Sequence, residues 1–428
     1  MIKKKVLNNI SWLVLDKFAT LLLGLIVIVK VANYYGPTDY GLYQYAISIN
    51  LILGVVVLFV DGRVVKKLYP EIDHGIVIYN TTIAKVILSF ISLLIGLTIL
   101  LFIGEDSKFN IIYIILLINN IVLNLAFGLQ NYFEYNLKSK NVVLASNTAN
   151  LISALFQLLA VSLNFSIITI AVIIFISSII KLIILIFQFN RIYSLNIYKT
   201  FNSSLIINII RESVPLAIAA TAATIYSRID QVMIGSMLSI DEVGIYSISV
   251  QMVAVVAMVI SPIQVSIFPR MLKWYNSNRE YYYLKYQALT RVISWISVIG
   301  IFLSFVIAPI FFDIFFDDSF SNSVNVFKIH VIGTFFMYNA ILRSSHFTLT
   351  KGTNILMISQ IIAVFVNIGL NFILIPIIGI YGAAVATIIT QFSSLFISNL
   401  FFKNGREVFK IQLKALNPIY IFSDLRIK

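Results

Sequence analysis

About twelve apolar runs, each long enough to cross a bilayer, follow one another from residue 10 to residue 402. A chain in lipid must satisfy its backbone hydrogen bonds within itself, so such runs read as helices. They fall near 10–33, 40–60, 81–103, 111–132, 143–163, 166–189, 212–235, 244–268, 289–312, 324–349, 355–377 and 379–402. Only 11% of the 428 residues are charged, against about a quarter in soluble domains. The expected fold is all-α and integral to a membrane. The first run carries Asp16 and Lys17, and no small-residue cleavage pattern follows it. It is expected to remain as a transmembrane helix rather than to be removed as a signal peptide.

Loop charges set the parity of the helices. With the N-terminus placed in the cytoplasm, alternation puts Lys3, Lys4, Lys5, Arg63, Lys66, Lys67, Lys138, Lys140, Arg191, Lys199 and Arg211 on that side. Arg270, Lys273, Arg279, Lys285, Lys351 and the tail from Lys403 follow them. The opposite loops hold Lys108 alone among basic residues, beside Asp39, Glu105, Asp106, Asp241, Glu242, Asp313, Asp317 and Asp318. Basic residues favour cytoplasmic loops, so this asymmetry predicts an even helix count with both termini cytoplasmic. The net charge of +13 is then explained by loops meeting anionic lipid, not by nucleic acid.

The longest loop, near 190–211, divides the chain. The expected organisation is an N-terminal lobe (1–195, helices 1–6), a cytoplasmic linker (196–211), a C-terminal lobe (212–402, helices 7–12) and a basic cytoplasmic tail (403–428). The halves resemble each other. Asp39-Tyr40-Gly41-Leu42-Tyr43 parallels Asp241-Glu242-Val243-Gly244-Ile245-Tyr246. Tyr69-Pro70 parallels Phe268-Pro269, and Leu163-Asn164-Phe165 parallels Leu370-Asn371-Phe372. An even number of helices per half gives parallel repeats, a plan of alternating-access transporters. The stretches 269–288 and 402–416 read as amphipathic segments anchored at headgroup level.

Charges inside the apolar runs carry the functional signal, because each costs roughly 3 kcal/mol there on insertion scales. Arg228 and Asp230 lie within the seventh run, which opens with a cluster of alanines and Pro215 near its start. At about 100° per residue, Thr221, Thr224, Arg228 and Gln231 share one helix face, while Asp230 points away from Arg228. Asp16 and Lys17 lie in the first run, Asp61 and Arg63 at the end of the second, and Lys85 at the start of the third. Lys181 is well inside the sixth, and His330 and Arg343 are in the tenth. Basic groups outnumber acids, which predicts a largely cationic cavity suited to a phosphate or diphosphate if they face one space. In the rival reading Lys17, Lys85 and Arg343 snorkel to the interface. Asp16, Asp61, Glu134 and Asp230 are the acids available for proton or sodium coupling.

No enzyme signature accompanies these charges. The chain has no cysteine, and His74, His330 and His346 lack metal-ligand spacing. Neither a Walker loop nor a Gly-x-Ser-x-Gly elbow is present. No cofactor and no metal are expected.

Four stretches together resemble the Wzx-type flippases of polysaccharide repeat units, within the multidrug/oligosaccharidyl-lipid/polysaccharide exporter superfamily. They are Gly36-Pro37-Thr38-Asp39-Tyr40-Gly41-Leu42-Tyr43; Ile225 to Gly235 with Val243-Gly244-Ile245-Tyr246-Ser247; Pro262 with Phe268-Pro269 closing the eighth helix; and Leu370-Asn371-Phe372-Ile373-Leu374-Ile375-Pro376 with Gly379 to Thr387. The resemblance implies a MATE-like, V-shaped bundle of two six-helix lobes. It implies transport of undecaprenyl-diphosphate-linked repeat units, of O-antigen (lipopolysaccharide biosynthesis) or a similar surface polysaccharide, from the cytoplasmic to the periplasmic leaflet of a bacterial inner membrane. Arg228 and Lys181 are then the first candidates to bind the diphosphate, and Lys17 and Arg343 the second. Asp230, Asp16 and Asp61 are candidates to orient those bases or carry a coupling ion. A monomer is expected, with other polysaccharide-assembly proteins as candidate partners. The alternatives are a drug or cation exporter of the same superfamily, a lipid-linked peptidoglycan-precursor flippase, for which additional helices are expected, and a membrane polymerase or glycosyltransferase.

Overall fold

The computed structural model describes the backbone of residues 2–103, 106–193 and 200–420. The side chains of residues 2–22, 103 and 261–266 lie outside the described residues. The described chain is helical throughout, with no strand, as lipid requires of a backbone that cannot bond to water. It divides into two compact units, Met1–Thr224 and Ile225–Lys428.

The first unit opens with α1 (Ile2–Leu53), a run of 52 residues that Gly36 interrupts with φ 68° and ψ 178°. Unbroken, such a helix would measure about 78 Å, against roughly 30 Å of hydrocarbon. Glycine pays little for positive φ, and Pro37 is tolerated where a helix restarts. The expected runs 10–33 and 40–60 are the arms on either side of this break. A 3₁₀ turn (Gly54–Phe59) leads to α2 (Gly62–Leu68), α3 (His74–Ile103), α4 (Ser107–Leu125), α5 (Phe127–Tyr135), α6 (Ser139–Ser162) and α7 (Ile167–Ile192). Helix α8 (Ser203–Met237) follows and runs on into the second unit. Val64, Val65, Tyr69, Val77, Ala145 and Leu185 form a buried cluster completed by Leu205, Ile206 and Ile209 of α8.

The second unit holds α9 (Ile240–Met258), α10 (Ser261–Ser277), α11 (Arg279–Phe315), α12 (Ser321–Val331), α13 (Thr334–Leu349), α14 (Thr353–Ile378), α15 (Ile380–Leu395) and α16 (Gly405–Ala415). Its core joins Ile260, Met271, Tyr282, Tyr286, Tyr338, Leu342 and Phe347 to Val408 and Ile411 of α16.

Several expected elements are corrected. The eighth run stops at Met258, so Phe268-Pro269 lies inside α10 and does not close α9. The fourth run breaks at Ala126 and the tenth between Val331 and Thr334. Pro215 stands well inside α8, which begins at Ser203, rather than at its start. The stretch 269–288 divides at Asn278, whose side chain caps α11 by accepting from the Tyr281 N–H at 3.0 Å. Helices α10 and α16 place Met271, Val408 and Ile411 in the unit's own core and leave Leu272 and Leu413 exposed.

Eleven apolar helical stretches of spanning length occur among the described residues, the first containing the Gly36 break. Cross-chain bonds respect the alternation read from the loops. Lys108 pairs with Asp39 at 3.0 Å, and Lys66 with Glu134 at 2.7 Å. Tyr35 Oη donates to the Phe165 carbonyl, and Asn80 Nδ2 to that of Thr200. Each pair joins positions assigned to one side.

The turn between α14 and α15 is set by two glycines. Gly379 adopts φ 62°, a region that side chains rarely enter. A Cβ on Gly382 would lie 2.4 Å from the Leu374 carbonyl oxygen, so only hydrogen lets α15 pack this closely on α14. Gly382→Ala is expected to cost ~1–3 kcal/mol through overpacking and to lower the thermal unfolding midpoint in detergent. Gly300→Ala, where the added Cβ meets nothing within 4 Å inside α11, is expected not to lower it.

Candidate functional site

Helix α8 carries a carboxylate into apolar surroundings. Asp230 is 7% exposed. Its Oδ1 accepts from Asn371 Nδ2 at 2.6 Å. Its Oδ2 accepts from Tyr246 Oη at 2.8 Å and Thr387 Oγ1 at 2.7 Å. Four helices, α8, α9, α14 and α15, therefore meet at one side chain. Around this shell, Asn371 Nδ2 also reaches Asn367 Oδ1 at 3.1 Å, and the His330 ring stacks on Tyr246 with centroids 5.7 Å apart. Among the described residues no cation pairs with Asp230. Bonds from neutral donors to a charged acceptor are short and strong, and here they replace water around a charge that would otherwise be costly to bury. Asn371 Oδ1, Thr390 Oγ1 and His330 Nδ1 are buried without a hydrogen-bond partner among the described residues. Leftover polar atoms of this kind are uncommon in settled packing and call for a functional explanation.

Local sequence explains the convergence. Ser239 caps α9 by accepting from the Glu242 N–H at 3.3 Å, which places Tyr246 two turns into that helix. Gly379 and Gly382 bring α15 against α14, so Asn371 and Thr387 reach the same carboxylate. Ala383, Ala384 and Ala386, all fully buried, keep that approach close.

The expected site residues fall into separate places. Arg228 is half-buried and donates from Nη1 to Gln231 Oε1 at 3.4 Å, on the face predicted for both and away from the bonds of Asp230. Lys181 is half-buried midway along α7 and makes no hydrogen bond or ion pair among the described residues. Glu134 is the acid whose charge acts on it. Arg343 is 2% exposed. Its Nε donates to Asn399 Oδ1 at 2.8 Å, and its Nη2 donates to Ser359 Oγ at 2.7 Å and Ser398 Oγ at 3.2 Å. That network holds α13, α14 and the 3₁₀ turn Ile397–Phe401 together, and no bond joins it to Arg228. Asp61 caps α2 and grips Arg63 with both oxygens, at 2.9 and 2.7 Å. The side chains of Asp16 and Lys17 lie outside the described residues. Lys85 is buried inside the first unit, with Nζ donating to the Val57 carbonyl at 2.8 Å and lying 4.3 Å from the Phe127 ring centroid. Among the described residues no group of three His, Asp or Glu side chains is placed to hold a metal.

Tyr246, Asn371 and Thr387 were legible as parts of the recurring motifs, but not as partners of Asp230. Their separations from it, 16, 141 and 157 residues, leave no local pattern to read.

This arrangement of helices is similar to known transporters. It matches an inward-facing multidrug resistance MATE family transporter of the MOP superfamily with a TM-score of 0.75 and 13% identity, covering 92% of this chain and 96% of that one. It matches the lipid II flippase MurJ in an inward closed conformation with a TM-score of 0.67 and 18% identity, covering 96% and 95%. A MOP superfamily transporter from Pyrococcus furiosus, whose binding pocket of reverse polarity suggests a different function, gives a TM-score of 0.59 at 12% identity, with 93% and 94% covered. The molecule is thus a multi-pass membrane protein with the fold of these transporters. The additional helices expected of a peptidoglycan-precursor flippase do not set the chain apart, since it spans 95% of MurJ. No curated protein matches the chain in sequence. The chain belongs to the polysaccharide biosynthesis protein family, which it matches over residues 6–274.

Removing the donors of the Asp230 shell one at a time tests its energetics. Tyr246→Phe and Thr387→Val are each expected to cost ~1.5–3 kcal/mol, the range for a bond to a charged group. A double-mutant cycle between Tyr246→Phe and Asp230→Asn is expected to show coupling of about 0.5–3 kcal/mol, read from unfolding in detergent.

Proposed function

We propose that the protein is a flippase. It carries undecaprenyl-diphosphate-linked oligosaccharide repeat units, of O-antigen or a similar surface polysaccharide, from the cytoplasmic to the periplasmic leaflet by alternating access. The bacterial inner membrane, with both termini cytoplasmic, is its proposed location, on the strength of the basic loops. The observation that carries the reading is Lys181. A half-buried cation in the middle of an apolar helix has no ion pair of its own among the described residues, and Glu134, the acid whose charge acts on it, is already paired with Lys66, so a substrate anion would complete it. Membership of a polysaccharide biosynthesis family supports a glycosylated cargo, and a lipid diphosphate supplies the anion.

Each half of the chain contributes its own cation to this reading, Lys181 in the first and Arg228 in the second. Lys17 and Arg343 are secondary candidates, and Asp230, Asp16 and Asp61 are proposed to couple an ion or orient charge. Proton and sodium coupling both stay open. The six-helix lobes 1–195 and 212–402, the linker 196–211 and the tail from 403 remain the proposed division of labour, with the monomer as the working form. A drug or cation exporter would present free acids. Asp230 instead has both oxygens engaged by protein donors, which favours the anionic cargo.

In a strain lacking the gene, the lipid-linked repeat unit is expected to accumulate in the cytoplasmic leaflet and surface polysaccharide to be lost. The wild-type chain restores both at matched expression. Lys181→Ala and Arg228→Ala each reduce export about tenfold or more, the scale of one lost charge-assisted hydrogen bond. Normal surface polysaccharide in the deletion strain would overturn the reading.

A further inference from the structure

Helix α6 crosses the first unit with polar residues where lipid would favour apolar ones. Asn147, Asn150, Ser153 and Gln157 recur at spacings of three and four, which places them along one face. They line a cavity of about 590 Å³ bounded by α1, α6 and α7. That volume lies within the roughly 300–1,000 Å³ typical of small-molecule sites. Across it stand Leu23, Val27 and Ile174, and no charged side chain is among the described lining residues.

The hydrogen bonding of this face is incomplete. Gln157 Nε2 donates to Ser153 Oγ at 2.9 Å, and its Oε1 makes no bond among the described residues. The exposed Asn150 amide makes none there either, with donor and acceptor both unused. A polar amide in an apolar environment costs a few kcal/mol unless something bonds to it. The described lining favours one ligand class. It holds no cation for a diphosphate and no acid for a cationic drug, and Tyr43, its one aromatic ring, is 7% exposed. An uncharged ligand dense in hydroxyls fits it best. Amides serve such a ligand well, because each offers a donor and an acceptor to neighbouring hydroxyls, while Leu23, Val27 and Ile174 meet the C–H faces of sugar rings.

We infer that this cavity binds carbohydrate of the lipid-linked repeat unit, with Asn150 and Gln157 as its hydrogen-bonding pair. The inference rests on the flippase reading and divides recognition of the cargo. Sugar is held by neutral amides on α6, while the diphosphate is held by cations elsewhere.

The test compares two probes on purified protein. One is the lipid-linked repeat unit extracted from the deletion strain. The other is undecaprenyl diphosphate without sugar. Wild type is expected to bind both, and the glycosylated lipid more tightly. An Asn150→Leu/Gln157→Leu variant is expected to lose tenfold or more in affinity for the glycosylated lipid and to keep its affinity for the sugar-free one. That retained binding also reports an intact fold. An Asn150→Gln variant, which keeps the amide, is expected to recover part of the loss. Unchanged binding of both probes by the leucine variant overturns the inference and leaves the flippase reading standing. An equal loss for both probes also overturns it, because the cavity then serves the lipid chain or the fold. Wild type that binds neither probe overturns the flippase reading itself, and the inference with it.

Discussion

The second unit is organised around the problem of burying one carboxylate. Asp230 stands in apolar surroundings with no cation paired to it among the described residues, so aligned dipoles meet its oxygens. Three donors from three other helices do this at 2.6 to 2.8 Å. Each imposes a condition on the chain. Tyr246 must follow a capped turn at Ser239, Asn371 must stand near the end of α14, and Thr387 must lie on a helix close enough to share the same oxygen. The positive φ of Gly379 and the missing Cβ of Gly382 meet the last condition. The motifs around 225–247 and 370–387 are thus two parts of one hydrogen-bonded centre, far apart in sequence.

Other charges in the chain are settled differently. Arg343 is enclosed by Asn399, Ser359 and Ser398, neutral acceptors that bind three segments into one block. Asp61 is engaged in a cap and an ion pair with Arg63. Both have protein partners for their charge, which is why Arg343 ranks behind Lys181 and Arg228 as a proposed anion contact. Lys181 has no such partner among the described residues, and Asn150 has an amide with no bond there. In the proposed function these two are the groups that a substrate completes. They differ in kind, one cationic and one neutral and hydroxyl-seeking, matching the two chemical parts of the proposed glycosylated lipid diphosphate.

Much of the architecture was legible because lipid imposes a simple rule of length and polarity. Apolar runs gave the helices α6, α7, α8, α14 and α15 within a few residues at most ends, and α8 alone began well before its run. Loop charges gave a parity that the bonds Lys108–Asp39 and Asn80–Thr200 respect. The breaks at Ala126 and between α12 and α13 were not legible, since small residues inside an apolar run read as ordinary packing. The first turns of α11 were hidden too, because the Asn278 cap sits among aromatic residues that resemble an interfacial segment. The opposed faces of Arg228 and Asp230 followed from helical geometry, yet the partners of Asp230 depend on tertiary contacts that no period encodes. The amides of α6 stand at helical spacing in plain view. A neutral stripe becomes a site only when the fold places a cavity against it and leaves its bonds unmade.

The most direct measurement is translocation by the purified protein in liposomes. The lipid-linked repeat unit would be placed in both leaflets, and its sugar probed from outside with an impermeant glycosidase. A flippase exposes the inner pool, so the account predicts digestion of nearly all the glycolipid with the wild-type protein. Liposomes carrying a Lys181→Ala protein would stall near the half present in the outer leaflet. Digestion that stops at the outer half with wild type, under imposed proton and sodium gradients alike, would contradict the account.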